Sequence, residues 1–479
     1  MHKPRAENRV IGPTISSDHH IILLPGTREE REYVDLFCKY TSRAMSGFFA
    51  SEFWDCLLPQ LSHSEPAVRH AIVAMSATHK RYIYDISSSF SSRSASDLSW
   101  SESSEKFVLQ QYNKAIGHLT AGLSSTVDLT LITCCLFICL EVLRGNEKQA
   151  WDHVAAGLRI LSSMQKPDNL HTSPQTSRTW PSVMRRELHH LFSRLNIQMS
   201  LFGRPLAPFD PSKQDSGDNS PNESKPFATV LEARCSLDTL MINALKFVRS
   251  ATEENCGIIP GSLPRDQRKI RNELDEWSNE FENLMKKITK RVKQPDSRGA
   301  HVLRIHYRVT RIWLETCLSP DAMGFDKHGS DFEAIISNAA MIISEESTKI
   351  HRATEYDTDP CGNFCLDMGL IPPLYYTAVK CRDPSLRRIA IDLLATYRRQ
   401  EGLWEAWKQA KIAGYVMGIE EGRQSHLPVE ARIPPRDVER IYEVLILEET
   451  KSRGIEFILM SKPNGADGDW HSETHVIEA

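Results

Sequence analysis

The sequence predicts an all-α chain, a multi-helix array of antiparallel helix pairs joined by long Ser- and Pro-rich loops. Three observations carry that prediction. Apolar residues recur at three- and four-residue spacing from Tyr33 to Ala410, the period of a helix face. Strand-like alternation bounded by turn dipeptides is almost absent. The breaks are long and polar: 87–104 holds eleven serines, and 166–181 and 203–226 are rich in Pro and Ser, compositions that cannot bury a core.

Residues 1–28 are polar and interrupted by Pro4, Pro13 and Pro25, so they read as a flexible lead-in. The helical body then runs over 29–460. Tyr33, Phe37, Tyr40 and Ala44 share a helix face, and Phe48, Phe49, Phe53, Trp54, Leu57 and Leu58 extend an aromatic segment to Pro59. Ser64 is placed as an N-cap ahead of Pro66, and Val68, Ile72, Met75 and His79 line up behind it. Past the serine loop, helices are expected at 107–123, 129–143 and 151–161, three in succession that suggest an antiparallel bundle. Further helices are expected at 182–200, 227–250, 264–293, 300–317 and 331–351. Residues 461–479 read as an unordered acidic tail.

The stretch 364–421 is the densest in signals. Pro372 and Pro373 precede a short apolar helix with Leu374, Tyr375, Ala378 and Val379 on one side. Cys381-Arg382-Asp383-Pro384 breaks it, because proline disfavours helix at the residue before it and suits a first turn. In the next helix Leu386, Ile389, Ala390, Leu393, Leu394 and Tyr397 take the inner face, leaving Arg387, Arg388, Asp392, Arg398 and Arg399 outside. After Gly402, the residues Leu403, Trp404, Trp407 and Ala410 restart the pattern. Three short helices packed around tryptophans are expected.

Composition excludes several functions. With 58 Lys and Arg against 62 Asp and Glu, the net charge is -4, so no global positive field draws the chain to nucleic acid or an anionic membrane. The first residues lack an apolar signal core, and secretion is not expected. The longest apolar run, 129–140, is too short to span a bilayer. The eleven cysteines, Cys38, Cys56, Cys134, Cys135, Cys139, Cys235, Cys256, Cys317, Cys361, Cys365 and Cys381, sit mostly in apolar helical patterns, as reduced core thiols do.

Chemistry-bearing motifs are missing. No C-x2-C pair occurs; Cys134, Cys135 and Cys139 cannot converge from one helix, and Cys361 with Cys365 lacks nearby histidines, so no metal ligands are assigned. His189-His190 and His301 with His306 lack the i, i+4 spacing of a metal-binding helix. There is no G-x-S-x-G elbow, no phosphate loop, no H-E-x-x-H and no dinucleotide fingerprint. Glu273–Glu276 (ELDE) reads as a solvated face rather than a magnesium site. Lys286, Lys287, Lys290, Arg291 and Lys293 form a basic cluster that could contact phosphate or an import receptor. The favoured reading is a helix end whose cations complement the dipole and pair back to Glu282. No catalytic, cofactor-binding or metal residue is therefore assigned, and no cofactor is expected.

Three stretches resemble the C-terminal regulatory region of fungal binuclear zinc cluster transcription factors. They are 48–79, with its aromatic-Trp segment and Pro-started helix; 129–161, with a buried helix, a Gly-containing turn, and a helix carrying His153 and Gly157; and 364–421, through Cys381-Arg382-Asp383, Arg387-Arg388 and Glu401-Gly402-Leu403-Trp404. The resemblance implies an all-helical, non-enzymatic module that modulates transcription in the nucleus, in a family whose members often control secondary-metabolite or nutrient-utilisation genes. Such proteins normally carry a C-x2-C-x6-C zinc cluster that reads the major groove, whereas the first cysteine here is Cys38, within the helical region. The expectation is either a truncated gene product or a regulator that acts through other transcription proteins or a DNA-binding partner, with a small effector as a further option, no direct DNA binding and no membrane. Homodimer and heterodimer both stay open. The alternative is an all-helical enzyme or ligand-binding protein using a cavity between helices.

Overall fold

Helices carry the chain, and their starts are set by local chemistry. The structure, a computed structural model, describes residues 25–88, 95–121, 126–165, 182–209, 226–254, 263–291, 297–352, 363–447 and 454–478. Thr27 caps α1 (Arg28–Leu36) by accepting the Glu30 N–H, while the Glu30 carboxylate takes the Thr27 N–H at 2.9 Å, a reciprocal capping box. Two π-helical turns, Phe37–Thr41 and Phe53–Leu57, lead into α2 (Ser42–Ser46) and α3 (Leu58–Ser64). They bury Phe37, Phe53 and Trp54. Then come α4 (Pro66–Ser88), α5 (Ala95–Ala121), α6 (Val127–Leu143) and α7 (Glu147–Met164). Thr126 caps α6, and Gly145, at φ +71°, turns the chain between α6 and α7. Both α5 and α6 pack on α4, and α7 packs on α6.

The middle of the chain holds α8 (Ser182–Leu201), α9 (Val230–Glu254), α10 (Leu263–Arg291), α11 (Arg298–Thr316) and α12 (Gly329–Arg352). Next come β1 (Phe364–Cys365), α13 (Ile371–Lys380), α14 (Pro384–Thr396), β2 (Gln400–Glu401), β3 (Trp404–Glu405) and α15 (Ala406–Glu420). Strand β1 pairs parallel to β2, which pairs antiparallel to β3. The chain finishes in an antiparallel sheet of β4 (Ile441–Ile446), β5 (Gly454–Ser461) and β6 (His471–Glu478), in that order.

Among the described residues three large apolar cores result, with a small fourth cluster of Ala74, Ala77, Val108 and Leu140. The first joins α2 to α8 around Trp54, Phe137, Trp151 and Phe192. The second joins α11 to α15 and the last sheet around Phe332, Leu374, Ile412 and Phe457. The third, around Trp277 and Phe281, lies among α9, α10 and α11. Two-residue alternation at β1 links two of them: Phe364 and Leu366 enter the first core and Cys365 the second.

The predominantly α-helical class holds, with informative departures. The span 461–479 is not an unordered tail, since His471–Glu478 pairs with β5 from Ser461↔His471 to Gly454↔Glu478. On β5 the buried Ile455, Phe457 and Leu459 alternate with more exposed neighbours, but Ile458 and Met460 between them mask the two-residue period. Helix α5 begins at Ala95, inside the serine-rich 87–104. Ser64 ends α3 instead of capping α4. Residues 1–24, 166–181 and 210–225 of the expected lead-in and loops lie outside the described residues. Within 364–421, residues 400–405 form the β2–β3 hairpin, and Trp407 is 42% exposed while Trp404 is buried. Arg387, expected outside, is fully buried.

Gly157 allows α7 to approach α8: a Cβ there would sit 2.1 Å from Cε1 of buried Phe192. Gly157→Ala is expected to lower the unfolding free energy by about 1–3 kcal/mol through overpacking. Gly117→Ala in α5, where an added Cβ meets nothing within 4 Å, should be neutral or gain up to about 1 kcal/mol. Urea denaturation of both variants checks the contrast.

Candidate functional site

Two adjacent carboxylates close α15, Glu420 in its last turn and Glu421 as its C-cap. Negative charge is unfavourable there, because the helix dipole is negative at that end. Arginines from three other segments meet it. The extended link after α13 carries Arg382, whose Nη2 donates to Glu420 Oε1 at 2.9 Å and to the Ile441 carbonyl at 2.9 Å. Asp383 caps α14 by accepting from Ser385 and Leu386 N–H. That cap turns Arg387 back toward α13, where its Nε donates to the Ala378 carbonyl and its Nη2 lies 2.8 Å from Glu420 Oε2. Arg388 and Arg432 both donate to Glu421 Oε2. Glu420 also accepts the Ile441 N–H at 2.8 Å, which fixes the start of β4. Burial would raise the Glu420 carboxyl, but Arg382 and Arg387 hold it below the ordinary range. Beside this cluster Arg440, also fully buried, donates to both Asp326 oxygens at 2.8 Å and to the Ala322 and Pro435 carbonyls.

A second buried carboxylate starts α13. Glu401 accepts the N–H groups of Gly369, Leu370 and Ile371 at 2.8, 3.0 and 2.9 Å, anion binding at a helix N-terminus. Burial nevertheless pushes its pKa up. The hairpin turn that aims Glu401 needs Gly402, at φ +56°, where a Cβ would fall 2.3 Å from Gln198 Oε1. A third charged node joins α8, α9 and the loop after β1: Asp367 accepts from Arg194 at 2.7 Å and Arg234 at 2.6 Å, and Asp238 from Arg194 at 3.4 Å. Asp367 is held far below the carboxylate range by the two arginines against its burial, whereas burial pushes Asp238 up to about 6.

Between these nodes lies a mainly apolar cavity of about 270 Å³, where the second and third cores meet. Met241 of α9, Val309 and Trp313 of α11, Tyr375 and Val379 of α13, Trp404 of β3 and Val444 of β4 contribute walls. Its size is close to the lower end of small-molecule sites, roughly 300–1,000 Å³. Polar groups are few. His306 Nε2 donates to the Gly369 carbonyl at 3.2 Å, and burial depresses its pKa to about 4, so the ring is neutral at pH 7. Lys380, whose pKa burial lowers to about 8, donates to the Tyr442 carbonyl and lies over the Phe325 ring. Buried Tyr375 Oη and Trp404 Nε1 have no hydrogen-bond partner among the described residues.

A family model for the fungal specific transcription factor domain matches residues 32–413. The chain belongs to this family. It is 23% identical over 460 residues to the aspercryptin biosynthesis cluster-specific transcription regulator of Emericella nidulans, covering 78% of this chain and 71% of that protein. No solved structure matches. The stretches that resemble the family in sequence are thus within or at the edge of the matched domain. Arg382, Arg387 and Glu401 turn out to be buried members of its charged nodes, none of which sequence spacing alone identified.

The cavity was not assigned from sequence either, since its walls come from six elements between Leu201 and Leu445. Cys134, Cys135, Cys139, Cys365 and Cys381 are buried free thiols, while Cys38 and Cys56 are exposed; Cys256 and Cys361 lie outside the described residues. Among the described residues no group of three His, Cys, Asp or Glu side chains is placed to hold a metal, and no helix is long and apolar enough to cross a membrane. In the ELDE run, Asp275 accepts from Tyr307 at 3.1 Å. Glu282 does not serve chiefly the basic cluster: Arg304 of α11 binds both its oxygens at 2.6 and 2.9 Å, leaving Lys286, Lys287 and Lys290 exposed.

Removing one partner of a buried ion pair leaves the other charge uncompensated. Glu420→Gln is expected to cost about 3–5 kcal/mol, and Glu473→Gln, on the exposed β6, to leave the denaturation midpoint unchanged. The pH profile follows the shifts. Glu420 and Asp367 are depressed, so their contribution is complete above the unfolded carboxylate pKa of about 4 and is lost as pH falls through the lower folded values. Asp238 acts oppositely: its contribution is complete below about 4 and is lost as pH rises through about 6. Asp238→Asn should remove that loss, which stability measured from pH 3 to 7 reads directly.

Proposed function

We propose that this chain is a nuclear regulator of a secondary-metabolite gene set that works through protein contacts, reaching promoters by way of a DNA-binding partner and answering to a small effector. The observation that carries the reading is the family match across 32–413. The relative's role as a biosynthesis cluster-specific transcription regulator supports the choice of gene set. Partner-mediated action is supported by the near balance of charge across the sequence, since a DNA-reading surface needs a concentrated positive field. The cavity supports the effector. The enzyme alternative has less support, because among the described residues Glu443 is the one acidic side chain in the cavity wall.

Deleting the gene should change transcript levels of one co-regulated biosynthetic gene group, measured by RNA sequencing, and a tagged chain should occupy its promoters in chromatin. The purified chain alone should not shift those promoter duplexes at about 0.15 M salt. Unchanged transcripts would remove the regulatory reading, and tight binding by the purified chain would remove the partner-dependent part.

A further inference from the structure

We propose that the cavity enclosed by α9, α11, α13, β3 and β4 takes up an uncharged, hydrocarbon-rich molecule the size of two fused rings, held by apolar contact. This deepens the effector part of the proposed function and rests on that reading only for its regulatory meaning; the uptake itself stands on the cavity.

The walls set the chemistry. Met241, Val309, Met368, Pro372, Val379 and Ile441 are all buried and line it with methyls, methylenes and thioethers. Burying apolar surface against such walls is favourable in proportion to the area removed from water. The two methionines add adaptability, because an unbranched thioether chain fills irregular gaps. Polar groups give an incoming molecule little to bond. His306 spends its Nε2–H on the Gly369 carbonyl and is kept neutral by burial. Lys380 donates to the Tyr442 carbonyl, and the Tyr376 hydroxyl bonds with Thr316. Tyr375 Oη and Trp404 Nε1 are almost wholly inaccessible, so what these two residues offer the cavity is ring carbon. Glu443, the one acidic lining residue among those described, is exposed and keeps its water. A carboxylate on the ligand would give up its hydration among these walls, with Glu443 repelling it and the Lys380 charge itself disfavoured by burial. The volume sets the size. An apolar cavity of about 150 Å³ stays dry and binds benzene; this one, at about 270 Å³, has room for a second fused ring.

The test uses three probes: naphthalene, 2-naphthoate, which adds a carboxylate to the same body, and pyrene, which adds two further rings. The full chain is labelled with 5-fluorotryptophan, and the resonances of Trp313 and Trp404, both in the cavity wall and two of nine tryptophans, are assigned from Phe variants. Naphthalene should shift these two resonances selectively and bind at least tenfold more tightly than 2-naphthoate or pyrene. Val309→Phe, which places a ring in the void, should weaken naphthalene at least tenfold while the melting temperature stays or rises. Val379→Phe gives the same readout from α13 where the first variant does not fold. No selective shift with naphthalene, equal or tighter binding of 2-naphthoate, equal binding of pyrene, or indifference of naphthalene to a folded filling variant would overturn the proposal. Failure here leaves the transcript experiment standing, and unchanged transcripts leave the binding result standing.

Discussion

Placing arginines in a protein interior is tolerable only where carboxylates meet them, and this constraint shapes the C-terminal half of the chain. Arg382 and Arg387 are both almost completely inaccessible and share Glu420, a carboxylate at the wrong end of a helix dipole. Neither the arginines nor the glutamate would be stable there alone. Together they hold the link after α13, the first turn of α14, the end of α15 and the start of β4 within hydrogen-bond distance of one another. Apolar packing is less directional; Ile412 or Leu374 could slide by a fraction of a turn, whereas bonds to Glu420 tolerate little displacement. The node thus gives the second core its register.

The same logic recurs at two other places and ties the cores together. Glu401 reaches from the β2–β3 hairpin to the first N–H groups of α13, so the hairpin and the helix cannot separate without exposing an unpaired carboxylate. Asp367, two residues past Cys365, draws Arg194 of α8 and Arg234 of α9 to one point. Between them, residues 364–371 contact all three cores. A segment with so little regular structure holds its place because its polar groups are satisfied by three helices and a hairpin.

Helix positions were legible in the sequence because amphipathic spacing needs only local information, and the expected 129–143 helix became Val127–Leu143. The break at Asp383-Pro384 was legible for the same reason. What was not legible is long-range. Arg387 sits at a position that periodicity assigns to solvent, and only the distant Glu420 makes its burial possible. The strands at the C-terminus escaped because Ile458 and Met460 fill the outward positions on β5 with apolar side chains. Trp404 and Trp407 illustrate the limit within three residues: one lines the cavity and the other is exposed, because the chain changes from strand to helix between them. The resemblance marked Arg382, Arg387 and Glu401 as a signature, and the structure shows each of them buried and bonded to a neighbouring element.

The cavity draws its significance from where these nodes leave off. It lies where the second and third cores abut. Its walls are nonetheless firm: α13 is pinned at its start by Glu401 and just past its end by Arg382, and β4 is pinned by Glu420 through the Ile441 N–H. Ile441 is the point of contact between the two systems, since its backbone belongs to the charged node and its side chain lines the cavity. Val444 and Leu445 of β4 also line the cavity and continue into the sheet that carries β5 and β6. That sheet presents β6, with its mostly exposed side chains, to the surroundings.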